Sequence, residues 1–346
     1  MASTSQTNEN GELNDHSKPF ILPLALILAF IFTLAFYYVV DELPKSINRI
    51  LKDFFPDYSI GSTEQMTSFE NLLRPIGYMC FFGVLILIFL GFLSKRFKLT
   101  FLGSLTFYLP IFGHFAATMF LFAGIGVLRI FWMPLLESSL FSIDLLKLGE
   151  VVLLPYYLLK EIISDLGGGN PSFISKFAFN FSNSMIGLGI LIFLFSTMTW
   201  IYGRYTSQTL LLDLWIYKYS RHPQYLGLLV WSYGLLVQVG SLSYPKGGYV
   251  PTPSLPWVIF IFIIIGVALQ EELNLLEEFP DAYTAYCQKT SFILPLPKLI
   301  TISITKMNSF FLRKARPERG KDIILILGVY FGILTILSFF LLYLSQ

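Results

Sequence analysis

Seven stretches of the chain are apolar and long, at 20–40, 76–93, 101–128, 185–202, 225–240, 256–270 and 323–344. A helix rises about 1.5 Å per residue, so about 20 such residues cover the hydrocarbon core of a bilayer. The pattern predicts an all-α, polytopic membrane helix bundle of about seven transmembrane helices. Residues 1–18 are polar and without periodicity, and read as a disordered cytosolic tail. The first apolar run reads as a retained helix rather than a cleaved leader. Its approach is acidic to neutral (Glu9, Glu12, Asp15, with Lys18 alone basic), and Asp41-Glu42-Leu43-Pro44 follows it in place of a small-residue cleavage site.

The stretch 144–163 is apolar but holds Lys147, Glu150, Lys160, Glu161 and a central Pro155. A charge at mid-bilayer costs about 2.5–3.5 kcal/mol on insertion scales, so an interfacial helix is expected there rather than a span. Gly167-Gly168-Gly169-Asn170-Pro171 after it is a flexible break; no Lys-Ser/Thr follows to make it a phosphate loop. These patterns divide the chain into a tail (1–18) and N-terminal membrane helices (19–200) with an interfacial segment (129–184). A motif-bearing helical hairpin (201–300) follows, then a basic loop with the last membrane helix (301–346).

Composition agrees with a membrane protein. Of 346 residues 55% are hydrophobic and 13% charged, where soluble proteins carry about 25% charged. With 24 Lys+Arg against 22 Asp+Glu there is no dominant basic stripe, so nucleic acid is not an expected partner. Cys80 and Cys287 make no disulfide framework or Cys-x-x-Cys site, and His16, His114 and His222 are too few for a His-rich centre, so no metal is expected. With seven spans, the larger share of Lys and Arg falls on the N-terminal side: Lys95, Arg96 and Lys98, then Arg204, Lys218 and Arg221, then the run from Lys289 to Lys321. The positive-inside rule then places the N-terminus in the cytoplasm.

The chemistry-bearing segment runs from Thr209 to Pro297. Its first half contains Trp215, Tyr217, Tyr219, then Arg221-His222-Pro223-Gln224-Tyr225-Leu226-Gly227, and enters an apolar helix. Its second half returns through another apolar helix to Glu271-Glu272, followed by Phe279, Tyr283, Tyr286 and Pro295-Leu296-Pro297. Antiparallel helices joined by one loop bring their free ends together, so Arg221/His222 and Glu271/Glu272 are expected on one, cytoplasmic, face. Arg221 offers a planar donor fork for carboxylate or phosphate. His222 titrates near neutrality, and Pro223 fixes the backbone at the helix start. The tyrosines and Trp215 supply aromatic faces for a heterocycle or a cation. Glu271 and Glu272 are candidates to pair with a ligand ammonium or to accept a proton. Each feature alone is common at membrane interfaces; their meeting at the two ends of one hairpin points to a site for a zwitterionic ligand carrying a base, such as S-adenosylmethionine. A nicotinamide dinucleotide fits less well, since no Gly-rich helix start awaits its pyrophosphate.

Arg221-His222-Pro223-Gln224-Tyr225-Leu226-Gly227, taken with Glu271-Glu272-x-x-Leu275 and Phe279…Tyr283-x-x-Tyr286, resembles the isoprenylcysteine carboxyl methyltransferase and phospholipid N-methyltransferase superfamily over about 90 residues. The resemblance implies S-adenosylmethionine cupped on the cytosolic face and a lipid or prenylated substrate arriving between helices. It implies cofactor contacts at Tyr217, His222, Pro223, Gln224 and Tyr225 and along Thr209, Leu210, Leu211 and Leu212, with Glu271 where cofactor and substrate meet. The chain departs from the family pattern at Val267, where isoprenylcysteine enzymes carry Arg, and at Pro280, where Gly is usual. Without that Arg, a substrate carboxylate lacks its partner. Steroid 5-alpha-reductase-like proteins share a similar Arg-His-Pro-x-Tyr element and an ending like Thr290-Ser291-Phe292-Ile293-Leu294-Pro295, and use NADPH. The Glu-Glu pair favours methyl transfer. A third reading keeps the hairpin as a non-catalytic scaffold.

Outside the hairpin, His114 reads as a residue bonded to a neighbouring helix, and Gly328-x-x-x-Gly332 as a helix-packing motif. The run Arg313-Lys314-Ala315-Arg316-Pro317-Glu318-Arg319-Gly320-Lys321 reads mainly as a topology signal, with attraction to anionic headgroups as a second reading. No internal repeat is evident, which disfavours an inverted-repeat transporter.

Overall fold

The computed structural model describes residues 18–51, short pieces between 71 and 86, residues 139–140, and residues 143–206, 211–241 and 254–344. Its helices are α1 (Lys18–Leu51), α2 (Leu154–Leu166), α3 (Pro171–Thr206), α4 (Pro223–Ser241), α5 (Ser254–Glu278), α6 (Pro280–Lys289), α7 (Lys298–Leu312) and α8 (Gly320–Leu344). A two-residue ribbon, β1 (Ser139–Leu140) against β2 (Ile143–Asp144), runs antiparallel with Leu140 opposite Ile143. Two short 3₁₀ turns, Leu145–Lys147 and Glu150–Leu153, lead from it into α2.

Four helices among the described residues are long and apolar enough to cross a membrane: Phe20–Tyr38 within α1, then α3, α5 and α8. The protein is accordingly a mostly helical membrane protein. Of the other three expected spans, 101–128 lies outside the described residues, as does more than half of 76–93. The third, 225–240, is the 19-residue α4, diluted by Gln224, Tyr225, Ser232, Tyr233 and Gln238. The interfacial segment expected over 129–184 divides in the structure. Its helix α2 has 13 residues, about 20 Å, which is short of the hydrocarbon thickness. From Pro171 onward the chain already belongs to α3. The span read at 185–202 therefore starts earlier, because the first turns of α3 (Ser172, Lys176, Asn180, Ser182) are too polar to register as membrane helix. The expected loop over 301–322 is likewise largely helix, since α7 continues to Leu312.

Glycine sets the closest contact in the bundle, between α3 and α4. A Cβ on Gly227 would lie 2.7 Å from the backbone nitrogen of Phe193, and one on Gly234 would lie 2.8 Å from that of Ile186. A Cβ on Gly189 would overlap the backbone of Trp231. The two helices thus touch backbone to backbone, as small residues permit in lipid-embedded helices. α1 lies along this pair through Phe36 and Phe193 (ring centroids 4.9 Å apart) and Tyr37 and Trp231 (4.9 Å). Replacing Gly189 by Ala is expected to destabilise the protein by about 1–3 kcal/mol through overpacking, read as thermal unfolding in detergent. Gly328 and Gly332, which the sequence marked for packing, meet nothing within 4 Å among the described residues. Gly328→Ala is therefore the control, and an equal loss in both variants would refute the contact.

α4 and α5 pack with opposite chain directions. Near one end Trp257 Nε1 donates to Ser232 Oγ at 3.1 Å; near the other, Tyr225 OH donates to Glu271 Oε1 at 2.7 Å. The segment 143–166 closes the first of these ends. Ile143, Leu146 and Leu148 pack with Trp231, Leu235 and Leu255, while Leu153 and Tyr156 pack with Ala178, Leu236 and Val237. Tyr157 OH donates to Glu150 Oε1, and Ser254 Oγ donates to the carbonyl of Leu146 at 3.2 Å. Burial pushes the Glu150 carboxyl above its ordinary range. All of this leaves the opposite end, with Glu271 and Glu272, to the segments that carry the remaining motif residues.

Candidate functional site

Local chemistry turns Arg221 and His222 inward. Pro223 opens α4, where its missing N–H costs nothing and its fixed φ suits the first helical position. His222 precedes it, with its carbonyl accepting from Leu226 N at 3.1 Å and its own N–H donating to Ser220 Oγ at 3.3 Å. On α5, Glu271 and Glu272 are consecutive and therefore about 100° apart around the helix. They face different neighbours.

Glu272 faces Arg221. Arg221 Nε donates to Glu272 Oε1 at 2.5 Å, and its Nη1 donates to the carbonyls of Thr290 (2.7 Å) and Cys287 (3.1 Å). Both side chains are 11% exposed. The stretch after α6 is laid against the motif as a strap: Arg221 N donates to the carbonyl of Ser291 at 2.9 Å, and Ser220 and Ser291 form a parallel bridge. The guanidinium also lies 5.7 Å from the ring centre of Phe292. Burial alone would lower the Arg221 pKa, but the Glu272 carboxylate reverses that and holds it above its usual value. Arg221 thus spends its donor fork inside the protein, joining α4, α5 and the strap.

His222 stands between the two carboxylates. Its Nδ1 is 3.5 Å from Glu271 Oε2 and its Nε2 is 3.4 Å from Glu272 Oε1. The Nε2 contact acts mainly through charge, because that buried nitrogen makes no well-aligned hydrogen bond among the described residues. The ring is stacked on Tyr225 (centroids 5.6 Å) and meets the edge of Phe292 (5.3 Å). Desolvation of this 7%-exposed side chain pulls its pKa down, and the contacts with Glu271 and Glu272 outweigh it, so the net shift is upward from 6.5. A raised folded pKa means the imidazolium adds stability that is complete below the unfolded pKa and is lost as pH rises through the folded one. Thermal unfolding in detergent from about pH 6 to about pH 9 is therefore expected to fall for the native protein. It should fall less for His222→Gln, and parallel curves would refute the assignment.

Glu271 is the open member of the group. Its side chain is 40% exposed, although it accepts from Tyr225 OH. Around it, Tyr217 is buried and its carbonyl accepts from Tyr286 OH at 2.6 Å. Tyr283 is buried against Glu272 and Cys287, its hydroxyl making no hydrogen bond of good geometry among the described residues. Burial raises the phenol pKa of Tyr217, Tyr283 and Tyr286 alike, which keeps all three as neutral hydroxyls.

The structure therefore gathers Tyr217, Arg221, His222, Pro223, Tyr225, Glu271 and Glu272 at one end of α4 and α5. Gln224 follows Pro223 on the first turn of α4. Leu212 packs instead on the last turns of α3, where a Cβ at Gly203 would overlap its side chain, and Leu211 precedes it, half-buried. Thr209 and Leu210 lie outside the described residues, as do His16, Cys80 and His114. Pro280 begins α6 one residue after α5 ends and so serves as a helix opener. Trp215 carries a left-handed φ of 44° and stacks on Tyr202 at 5.1 Å, which ties the start of the motif to α3. Sequence reasoning did not assign the partners of Arg221 in the strap, the carbonyls of Cys287 and Thr290, because backbone acceptors leave no signature in residue types.

Comparison with protein-family models, with curated proteins and with solved structures gives no match.

Proposed function

We propose that the chain is an integral membrane methyltransferase that uses S-adenosylmethionine on a lipid or prenylated substrate. One observation carries this reading. Arg221, His222, Glu271 and Glu272, separated by about fifty residues of sequence, form a single cluster in which only one carboxylate is left open. The donor set suits the cofactor: Glu271 offers negative charge for its ammonium or sulfonium, Tyr225 an aromatic face, and His222 Nε2 a buried polar atom that makes no well-aligned hydrogen bond among the described residues. Bound there, S-adenosylmethionine would supply an electrophilic methyl group. Tyr217, Pro223, Gln224, Tyr225 and Glu271 would hold it, with Thr209, Leu210, Leu211 and Leu212 completing the expected set.

The residues then divide their work. Arg221 and Glu272 act as positioning residues that fix the strap and both helices. Glu271, held by Tyr225 and His222, is the proton acceptor when the substrate nucleophile is an amine; a carboxylate nucleophile needs none. Val267, one turn before the pair, gives a substrate carboxylate no cationic partner, which favours the phospholipid amine class over prenylcysteine. Exclusion of water and alignment of donor with acceptor supply the remainder, up to about 7–11 kcal/mol when geometry is ideal. A seven-span arrangement belongs to this reading, with α4 and α5 as a hairpin and the N-terminus and site on the cytoplasmic side.

A reductase reading keeps a place because the Thr290–Pro295 strap, which it shares, binds Arg221 directly. Calorimetric titration of the detergent-purified protein with S-adenosylmethionine and with NADPH, repeated on His222→Ala, decides between them. Micromolar S-adenosylmethionine binding that His222→Ala abolishes is the expected result. Binding of NADPH alone moves the protein to the steroid-reductase type, and binding of neither leaves a non-catalytic scaffold.

A further inference from the structure

The cationic turn between α7 and α8 forms no ion pair with the cluster described above, though Arg316 lies near enough to Cys287 to act on its thiol. Between residues 313 and 321 it carries Arg313, Lys314, Arg316, Arg319 and Lys321 against a single carboxylate, Glu318. That carboxylate pairs with Lys314. Asp322, just inside α8, is occupied as a cap, accepting from the backbone N–H groups of Glu318 and Arg319 at 3.1 Å each. Among the described residues, no carboxylate lies within ion-pair distance of the other four cations. Arg313, Arg316, Arg319 and Lys321 are all exposed. Arg313 closes α7 with a left-handed φ of 57°, a position where Gly is the usual and unstrained choice. A cation is kept there at the expense of backbone comfort.

α7 has the surface of a helix lying in lipid. Leu299 and Phe310 are each 79% exposed, and Ile302 and Phe311 are exposed beside them. The hydroxyls of Thr301, Ser303, Thr305 and Ser309 each donate to the carbonyl four residues back, so none of them needs water. At 15 residues the helix is about 22 Å long, too short to cross the hydrocarbon and suited to its edge. Tyr330 of α8 holds it through Asn308 at 3.0 Å. The turn lies at the same end of the molecule as the Arg221–Glu272 cluster. α8 runs opposite to α5, with Phe331 against Phe262 and Ser338 bonded to Val151 in the segment that closes the far end.

We propose that α7 and the turn after it form a binding site for anionic phospholipid headgroups. The exposed apolar side chains of α7 enter the acyl region, and the four unpaired cations meet headgroup phosphate and carboxylate at its border. This inference does not depend on the methyltransferase reading. Its test uses the full chain reconstituted in phosphatidylcholine bilayers containing spin-labelled phosphatidylserine or spin-labelled phosphatidylcholine. The motionally restricted fraction of each is read by electron spin resonance. Phosphatidylserine is expected to be favoured about threefold or more, with the preference weakened by about 0.5 M salt. The Arg313→Gln/Arg316→Gln/Arg319→Gln variant should bring the ratio to about one, and Glu318→Gln, which frees Lys314, should raise it. Equal fractions for the native protein overturn the proposal. A preference unchanged in the triple variant overturns it too, by moving the anion site elsewhere.

Discussion

Arg221→Ala is expected to lower the stability of the protein by about 3–5 kcal/mol, the largest effect of any single change considered. The substitution leaves the Glu272 carboxylate, 11% exposed and 2.5 Å from the lost Nε, as a buried charge whose remaining neighbours are the off-line His222 ring and the Tyr283 phenol. It also strips the carbonyls of Cys287 and Thr290 of their side-chain donor. Arg221→Lys should fall between, since one ammonium cannot reach a carboxylate and two carbonyls in the same geometry. Glu272→Gln should cost less than Arg221→Ala, because an amide oxygen still accepts and the Arg221 cation left behind keeps the carbonyls of Cys287 and Thr290. Denaturation in detergent, followed by tryptophan fluorescence, measures all three. A loss for Arg221→Ala of under about 0.5 kcal/mol, the range of ordinary surface substitutions, would mean that the pair is not buried in the protein.

On the proposed methyltransferase function, Glu271→Gln should leave the protein folded and cut methyl transfer by about 10²- to 10⁴-fold, the usual contribution of a positioned proton acceptor. The side chain is 40% exposed and its hydrogen bond from Tyr225 OH survives in the amide, so stability has little to lose. Tyr225→Phe removes that bond while keeping the ring stacked on His222. Its activity should drop by about ten- to 150-fold, in line with the loss of one hydrogen bond to a charged carboxylate. The measurement is methyl-label transfer from S-adenosylmethionine into membrane lipid extracts. Full activity in Glu271→Gln would remove the carboxylate from the chemistry and shift attention to a substrate that needs no base.

The membrane character was plain in the sequence, because an 18-residue apolar window depends only on composition. Helix ends were harder. Ser172, Lys176 and Asn180 broke the apolar pattern of α3, yet the helix runs through them, since a helix entering a membrane needs apolarity only over the part that lipid surrounds. α7 was missed for a related reason. Its serines and threonines look polar in a sequence, but each hydroxyl is satisfied by the helix itself. The meeting of Arg221/His222 with Glu271/Glu272 was legible from chain direction alone. Which carboxylate faces which cation was not, since that follows from the rotation of α5 about its axis. The bonds from Arg221 to the carbonyls of Cys287 and Thr290 were invisible for a different reason, as any residue could supply a carbonyl there.

The glycine contact between α3 and α4 has a mechanical consequence. Gly227 and Gly234 are seven residues apart, two turns on one face of α4, and each meets α3 where a Cβ has no room. Sliding α4 by one residue would bring Leu226 or Leu228 into a gap that admits only a hydrogen, so the two helices have one permitted register, like a key with two teeth. His222 lies five residues before Gly227, about one and a half turns. Its ring is thereby indexed to α3 as well as to the helix it precedes. α5 has no such teeth against α4 at the described contacts, where Trp257 reaches Ser232 and Glu271 reaches Tyr225 through side chains alone. The seam between α3 and α4 is thus indexed by backbone shape, and the one between α4 and α5 by side-chain bonds.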